Sequence, residues 1–113
     1  MDKQKIKAFY ERNMKIHETC QNELPGVMEA YWDELSDFIA SDIPGAINFM
    51  CEDSDCNDEI FSDWSEVFDD VARKTQSREF VEALKVAARR FPKACEQYSI
   101  AYSIECAEDE LLD

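Results

Sequence analysis

Apolar residues recur along this chain mostly at intervals of three and four, the spacing that lines them up on one side of an α-helix. Residues 3–23 carry Ile6, Phe9, Tyr10, Asn13, Ile16, His17 and Cys20 in that register, with Leu24 just beyond. Pro25-Gly26 closes the segment, and residues 27–41 repeat the pattern with Met28, Tyr31, Leu35, Phe38 and Ile39. Pro44-Gly45 breaks the chain again. Residues 58–73 give the cleanest stripe, with Ile60, Phe61, Trp64, Val67, Phe68 and Val71 on one face. Ser77 is placed to cap a helix bearing Phe80, Leu84, Ala87, Ala88 and Phe91, and Pro92 suits the first turn of the next. Between these segments, Glu52 to Glu59 is polar and predicts a loop, with a helix cap near Ser54 or Asp55.

The last segment supports two patterns. As a helix, Gln97, Ile100, Ile104, Ala107 and Leu111 align. As a strand, Tyr98, Ile100, Tyr102, Ile104 and Cys106 alternate with smaller or polar residues, and Ala46–Cys51 alternates similarly enough to pair with it. The prediction is an all-α compact bundle of about five helices, with a small α+β fold carrying a strand near 98–106 as the alternative.

Composition supports one packed domain over residues 1–113. Apolar residues make up 45% of the chain, too many for a disordered acidic tail. Only two Gly and three Pro occur, which favours helices over turns. No apolar run reaches the length of a membrane span, and the N-terminus opens an amphipathic pattern, not a signal-peptide core. The expected location is the cytoplasm, or the host cytosol if the gene is carried by a phage. Five cysteines, an odd number, fit reduced thiols in that compartment.

Charge changes the picture most. From Pro25 to Asp70 there are fourteen Asp and Glu and no Lys or Arg, and the net charge of the whole chain is −14. Residues 71–95 carry seven bases against two acids, a collar placed to relieve part of that repulsion. On the predicted helices, Glu29, Asp33 and Asp37 form one carboxylate row, and Glu59, Asp63, Glu66 and Asp70 form a second. Like charges four residues apart destabilise a helix by roughly 0.2–0.5 kcal/mol per pair, so two such rows call for a functional account. A four-residue step rises about 6 Å. Rows from neighbouring helices therefore approximate a phosphate array, which a basic nucleic-acid-binding protein would accept as a competitor. Asp53, Asp55 and Asp58 in the loop extend the acidic set, and Trp32 is placed to anchor a partner within it. The bland alternative is a solvated acidic face that only aids solubility.

A small, helical, glycine-poor, strongly acidic chain resembles the phage DNA-mimic inhibitors, the Ocr-type antirestriction proteins and acidic anti-CRISPR proteins. The local likeness to Ocr lies in Glu96-Gln97-Tyr98-Ser99-Ile100 and in Glu105-Cys106-Ala107-Glu108-Asp109-Glu110-Leu111-Leu112. The basic collar and the five cysteines depart from that pattern. The resemblance implies a non-enzymatic inhibitor that occludes the nucleic-acid-binding surface of a restriction or CRISPR component. Two alternatives share size and charge: an immunity protein that neutralises a basic bacterial toxin, and an acidic secretion chaperone. In each case the partner is a basic protein, with no direct nucleic-acid binding and no membrane, and a homodimer is open.

Other chemistry is poorly supported. Asp53-Ser-Asp55-Cys-Asn57 opens like a calcium loop, but Asp58 stands where the turn needs Gly and Trp64 where a bidentate Glu is required. His17-x2-Cys20 and Cys51-x4-Cys56 lack the tight spacing of a zinc knuckle. His17 is the sole histidine, and no nucleophile elbow or phosphate loop accompanies it. No cofactor, metal site or catalytic residue is predicted.

Overall fold

A computed structural model describes residues 1–112. Among these residues every regular element is helical: α1 (Lys3–Glu18), a 3-10 turn (Gln21–Glu23), α2 (Val27–Ala40), α3 (Ile43–Glu52), α4 (Asp58–Ser65), α5 (Phe68–Thr75), α6 (Arg78–Ala88), α7 (Pro92–Tyr98) and α8 (Ile100–Asp109). The all-α expectation holds. The expected five helices are eight, and the strand near 98–106 is instead the end of α7 followed by α8. Its expected partner, Ala46–Cys51, lies in α3.

α3 begins at a Pro-Gly pair, and the other two extra helices arise from breaks that neither Gly nor Pro marks. The 58–73 stripe is cut at Val67, giving α4 and α5 as separate eight-residue helices. Val67 itself is fully buried, so the apolar stripe continues through the kink. Ser99 adopts a left-handed conformation (φ 52°) and separates α7 from α8. The helical register holds over α8, where Ile100, Ile104 and Ala107 are buried, and the break leaves only Gln97 in α7.

Local capping accounts for most of the remaining boundaries. Asp2 caps α1, accepting from the backbone N–H of Gln4 at 2.9 Å. Ser77 caps α6 as expected, accepting from Phe80 N–H at 3.1 Å. Asn57, not Ser54 or Asp55, caps α4 through Ile60 N–H at 2.8 Å. Pro44-Gly45 starts α3 instead of breaking a helix. Asp42 accepts from Gly45 N–H at 3.0 Å, and a Cβ on Gly45 would lie 2.2 Å from Asp42 Oδ2. Only glycine admits the cap carboxylate that closely.

α5 is the centre of the molecule. It packs against α2, α6 and most extensively α8, while α3 lies on α6 and α4 on α7. Its Phe68, Val71 and Ala72 are fully buried, together with Tyr31, Leu35, Ile39, Phe61, Phe80, Leu84 and Ile100 from its neighbours. α1 joins this core chiefly through side chains. Ile6 and Ile16 are buried, and the Phe9 ring packs 6.1 Å from Tyr31 and 5.2 Å from Phe38, centroid to centroid. No described helix is long and apolar enough to cross a membrane.

Candidate partner-binding site

The two carboxylate rows have different fates. Glu29, Asp33 and Asp37 are all exposed on α2. Because α2 packs on α5, Lys74 reaches across: its Nζ sits 2.7 Å from Asp37 and 3.2 Å from Asp33, and donates to Ser36 Oγ at 2.7 Å. Burial alone would lower the Lys74 ammonium, but the bonds to Asp37 and Asp33 outweigh it and leave it raised. Nearby, Arg12 binds Glu34 at 2.7 Å.

In the second row, Asp70 is held by Arg73 at 2.6 Å. Glu59 and Glu66 are exposed and make no ion pair among the described residues. Asp63 turns inward. In the loop, Lys3 binds both Asp53 (2.9 Å) and Asp55 (3.0 Å), so a cation of the chain itself occupies the start of the calcium-loop-like motif. Asp58 caps a different helix from its own, accepting from the backbone N–H of Ala94 in the first turn of α7 at 3.0 Å. Bases outside the acidic block therefore neutralise much of it, and the carboxylates left without an ion pair include Glu29, Glu59 and Glu66.

Asp63 belongs to a polar network between α1, α2 and α4. Tyr31 donates to Asp63 Oδ2 at 2.6 Å, and Asn13 Nδ2 donates to Oδ1 at 2.8 Å. Burial pushes this carboxyl up to about 6, the Tyr31 bond pulls it down, and the Glu66 charge adds to the rise. Asn13 Oδ1 is buried with no hydrogen-bond partner. The signal was present in the sequence: Asn13 interrupts an apolar stripe, and a polar side chain at such a position requires a partner.

Above this network lies a cleft of about 490 Å³ lined by Asn13, His17, Trp32, Ser62, Glu66 and Tyr98, with Met28 beneath. Four segments build it: α1, α2, α4 and the α7–α8 junction. Trp32 is half-buried, one helical turn from Glu29 on α2. Tyr98 is 55% exposed, at the end of α7 just before the left-handed Ser99. It also walls a neighbouring hollow of about 280 Å³ that contains Glu59, Asp58 and Lys93. Of the predicted set, Trp32 and Glu66 line this cleft and Glu59 the hollow next to it, while Asp63 is hydrogen-bonded to the cleft residue Asn13. Asp33, Asp37, Asp53, Asp55 and Asp70 lie elsewhere in ion pairs. Tyr98, Asn13 and His17 were not singled out as contact residues.

Trp64, by contrast, is core, with its ring 5.3 Å from Phe49 and only 1% exposure. Among the described residues no group of three or more His, Cys, Asp and Glu is placed to hold a metal. His17 and Cys20 are both exposed at the end of α1, not turned inward. Burial pushes the Cys56 thiol up to about 12 and raises Cys51 and Cys95, which disfavours the reactive thiolate form. No protein family, curated protein or solved structure matches this chain.

Proposed function

We propose that this protein is a non-enzymatic inhibitor that docks on the basic surface of a nucleic-acid-binding protein and blocks nucleic-acid access. One observation carries the reading. Glu29, Glu59 and Glu66 are exposed and have no ion pair among the described residues; Glu66 lines the cleft walled by Trp32 and Tyr98, Glu59 lines the hollow on the other side of Tyr98, and Glu29 lies one helical turn from Trp32 on α2. Uncompensated like charge on a compact domain opposes folding and favours a cationic partner. Aromatic side chains beside it supply the buried anchors that dominate interface energetics. Occlusion of a restriction or CRISPR component from the cytosol of its host is the specific form of this proposal.

The immunity-protein reading is the second. Lys74, Arg73 and Lys3 neutralise Asp33, Asp37, Asp70, Asp53 and Asp55. That shortens any phosphate-like array and favours recognition by a few anchors.

The test is retention of proteins from a bacterial lysate on the immobilised chain, with the triple variant Glu29→Lys, Glu59→Lys, Glu66→Lys as control. Occlusion predicts a basic nucleic-acid-binding protein that is retained by the native chain, lost on the variant and released by duplex DNA. A protein lost on the variant but resistant to DNA favours the immunity reading. Equal retention on both overturns the proposal.

A further inference from the structure

We propose that the cleft between Trp32, Tyr98 and Glu66 is a receptor for a single arginine side chain of the partner. This deepens the proposed function and rests on it, because it names the group that the acidic face would capture.

Three features of the cleft point to a guanidinium. The first is charge. Glu66 is exposed on its wall without a counter-ion, and no Lys or Arg lines it. The neighbouring hollow, which Tyr98 also walls, holds Asp58 and Glu59 against the single base Lys93. A concave site with low-dielectric walls focuses such a potential on an incoming cation. The second is the pair of aromatic walls. Trp32 and Tyr98 both line the cleft, and Arg stacks on aromatic faces better than Lys because its cation is planar and weakly hydrated. The third is the set of acceptors. A guanidinium carries five N–H donors. Glu66 offers a bidentate carboxylate, and Ser62 Oγ offers further lone pairs. A cleft of about 490 Å³ is ample for one side chain.

The alternatives fit less well. A second apolar side chain would leave Glu66 buried and unpaired, which is costly. An anion would meet the same carboxylate.

The experiment is an NMR titration of the intact chain with N-acetyl-arginine amide, alongside N-acetyl-lysine amide and N-acetyl-citrulline amide. Citrulline keeps the shape and removes the charge. The indole N–H of Trp32 is the reporter, and that of buried Trp64 is the internal control. The expected result is saturable movement of the Trp32 signal with little change at Trp64. Arginine should bind at least about fivefold more tightly than citrulline and more tightly than lysine. Glu66→Gln and Tyr98→Ala, both at exposed positions, should each weaken arginine binding about fivefold while leaving the spectrum folded. Equal binding of citrulline, tighter binding of lysine, or changes spread over the acidic surface overturns the receptor. The lysate comparison reads separately. Loss of partner on the triple Lys variant without arginine binding leaves the acidic docking surface standing and removes only this pocket.

Discussion

Tyr31 on α2 donates its phenolic O–H to Asp63 on α4 across 2.6 Å, and the same oxygen lies 3.1 Å from the carbonyl of Phe9 on α1. One hydroxyl has one hydrogen. While Asp63 is ionised it takes that hydrogen. Once Asp63 is protonated it can donate to the phenol, and the phenol can turn its hydrogen to Phe9. The Tyr31–Asp63 contact is therefore satisfiable in both protonation states, which lets a carboxyl with a raised proton affinity sit between three helices.

A pH dependence of stability follows from this. The Asp63 carboxyl is raised to about 6 when folded, against roughly 3.9 for an unfolded aspartate. The folded state binds this proton more tightly than the unfolded state. Its stabilising contribution is full below about pH 4 and is lost as pH rises through about 6. Urea unfolding should show about 2 kcal/mol more stability at about pH 4.5 than at about pH 7 from this group. The pairs of Glu34 and Asp53, whose carboxyls are lowered by Arg12 and by the Asp55 N–H with Lys3, weaken only at more acid pH. Asp63→Asn should flatten the limb between about pH 4.5 and 7. An unchanged limb assigns the dependence to other carboxylates.

Tyr31→Phe should raise the Asp63 value further, because the lost hydrogen bond favours the ionised form. The variant should also lose about 1–3 kcal/mol at neutral pH, since it leaves a mostly buried carboxylate with one donor fewer. Carboxyl carbon shifts followed against pH give the first quantity, and urea unfolding gives the second.

Asp58→Ala should destabilise the protein by about 1 kcal/mol through loss of the cap on α7. Phe91, the residue that precedes the helix, supplies no side-chain cap of its own. Asp58→Asn should retain most of the effect. Equal melting temperatures for the Ala variant and the native chain would remove this role.

Lys74→Gln should cost roughly 0.5–1 kcal/mol. Asp33 and Asp37 are largely exposed, and exposed pairs are weak, but the Lys74 side chain is only 27% exposed and links two core helices. The difference from the native chain should shrink at high salt, because screening weakens exposed pairs. A salt-independent loss would assign the effect to the Lys74 stem and Ser36 instead.

Ser99→Gly and Gln76→Gly should diverge. Both positions are left-handed, at φ 52° and 54°, where an L-residue is strained. Ser99 is exposed and makes no capping bond, so glycine should be neutral or stabilising by up to about 1 kcal/mol. Gln76 donates to the Glu110 carbonyl at 2.9 Å and accepts from Leu112 N–H at 2.9 Å, which ties the C-terminus to α5. Its replacement should destabilise. Thermal unfolding of the two variants side by side decides the comparison.

The residue pattern by itself determined that this chain is helical and acidic, and where most helices lie. Periodicity near 3.6 states which face is apolar, and capping by Ser77 or a first-turn Pro92 is a local matter that needs no distant residue. Tertiary structure decided the rest. The breaks at Val67 and Ser99 carry no Gly or Pro, so their cause lies in how α4, α5, α7 and α8 must pack. The second acidic row assumed one continuous helix from 58 to 73. The break at Val67 detaches Asp70 from that row, and hydrogen bonds from Tyr31 and Asn13 hold Asp63 inward while Glu59 and Glu66 remain exposed. Charge counts pointed to the 71–95 collar, where Arg73 and Lys74 hold Asp70, Asp33 and Asp37, but could not show which acids each base holds or that Lys3 binds Asp53 and Asp55. Ion pairing depends on distance in space, and two of those bases, Lys74 and Lys3, lie some 40 to 50 residues away from the acids they hold.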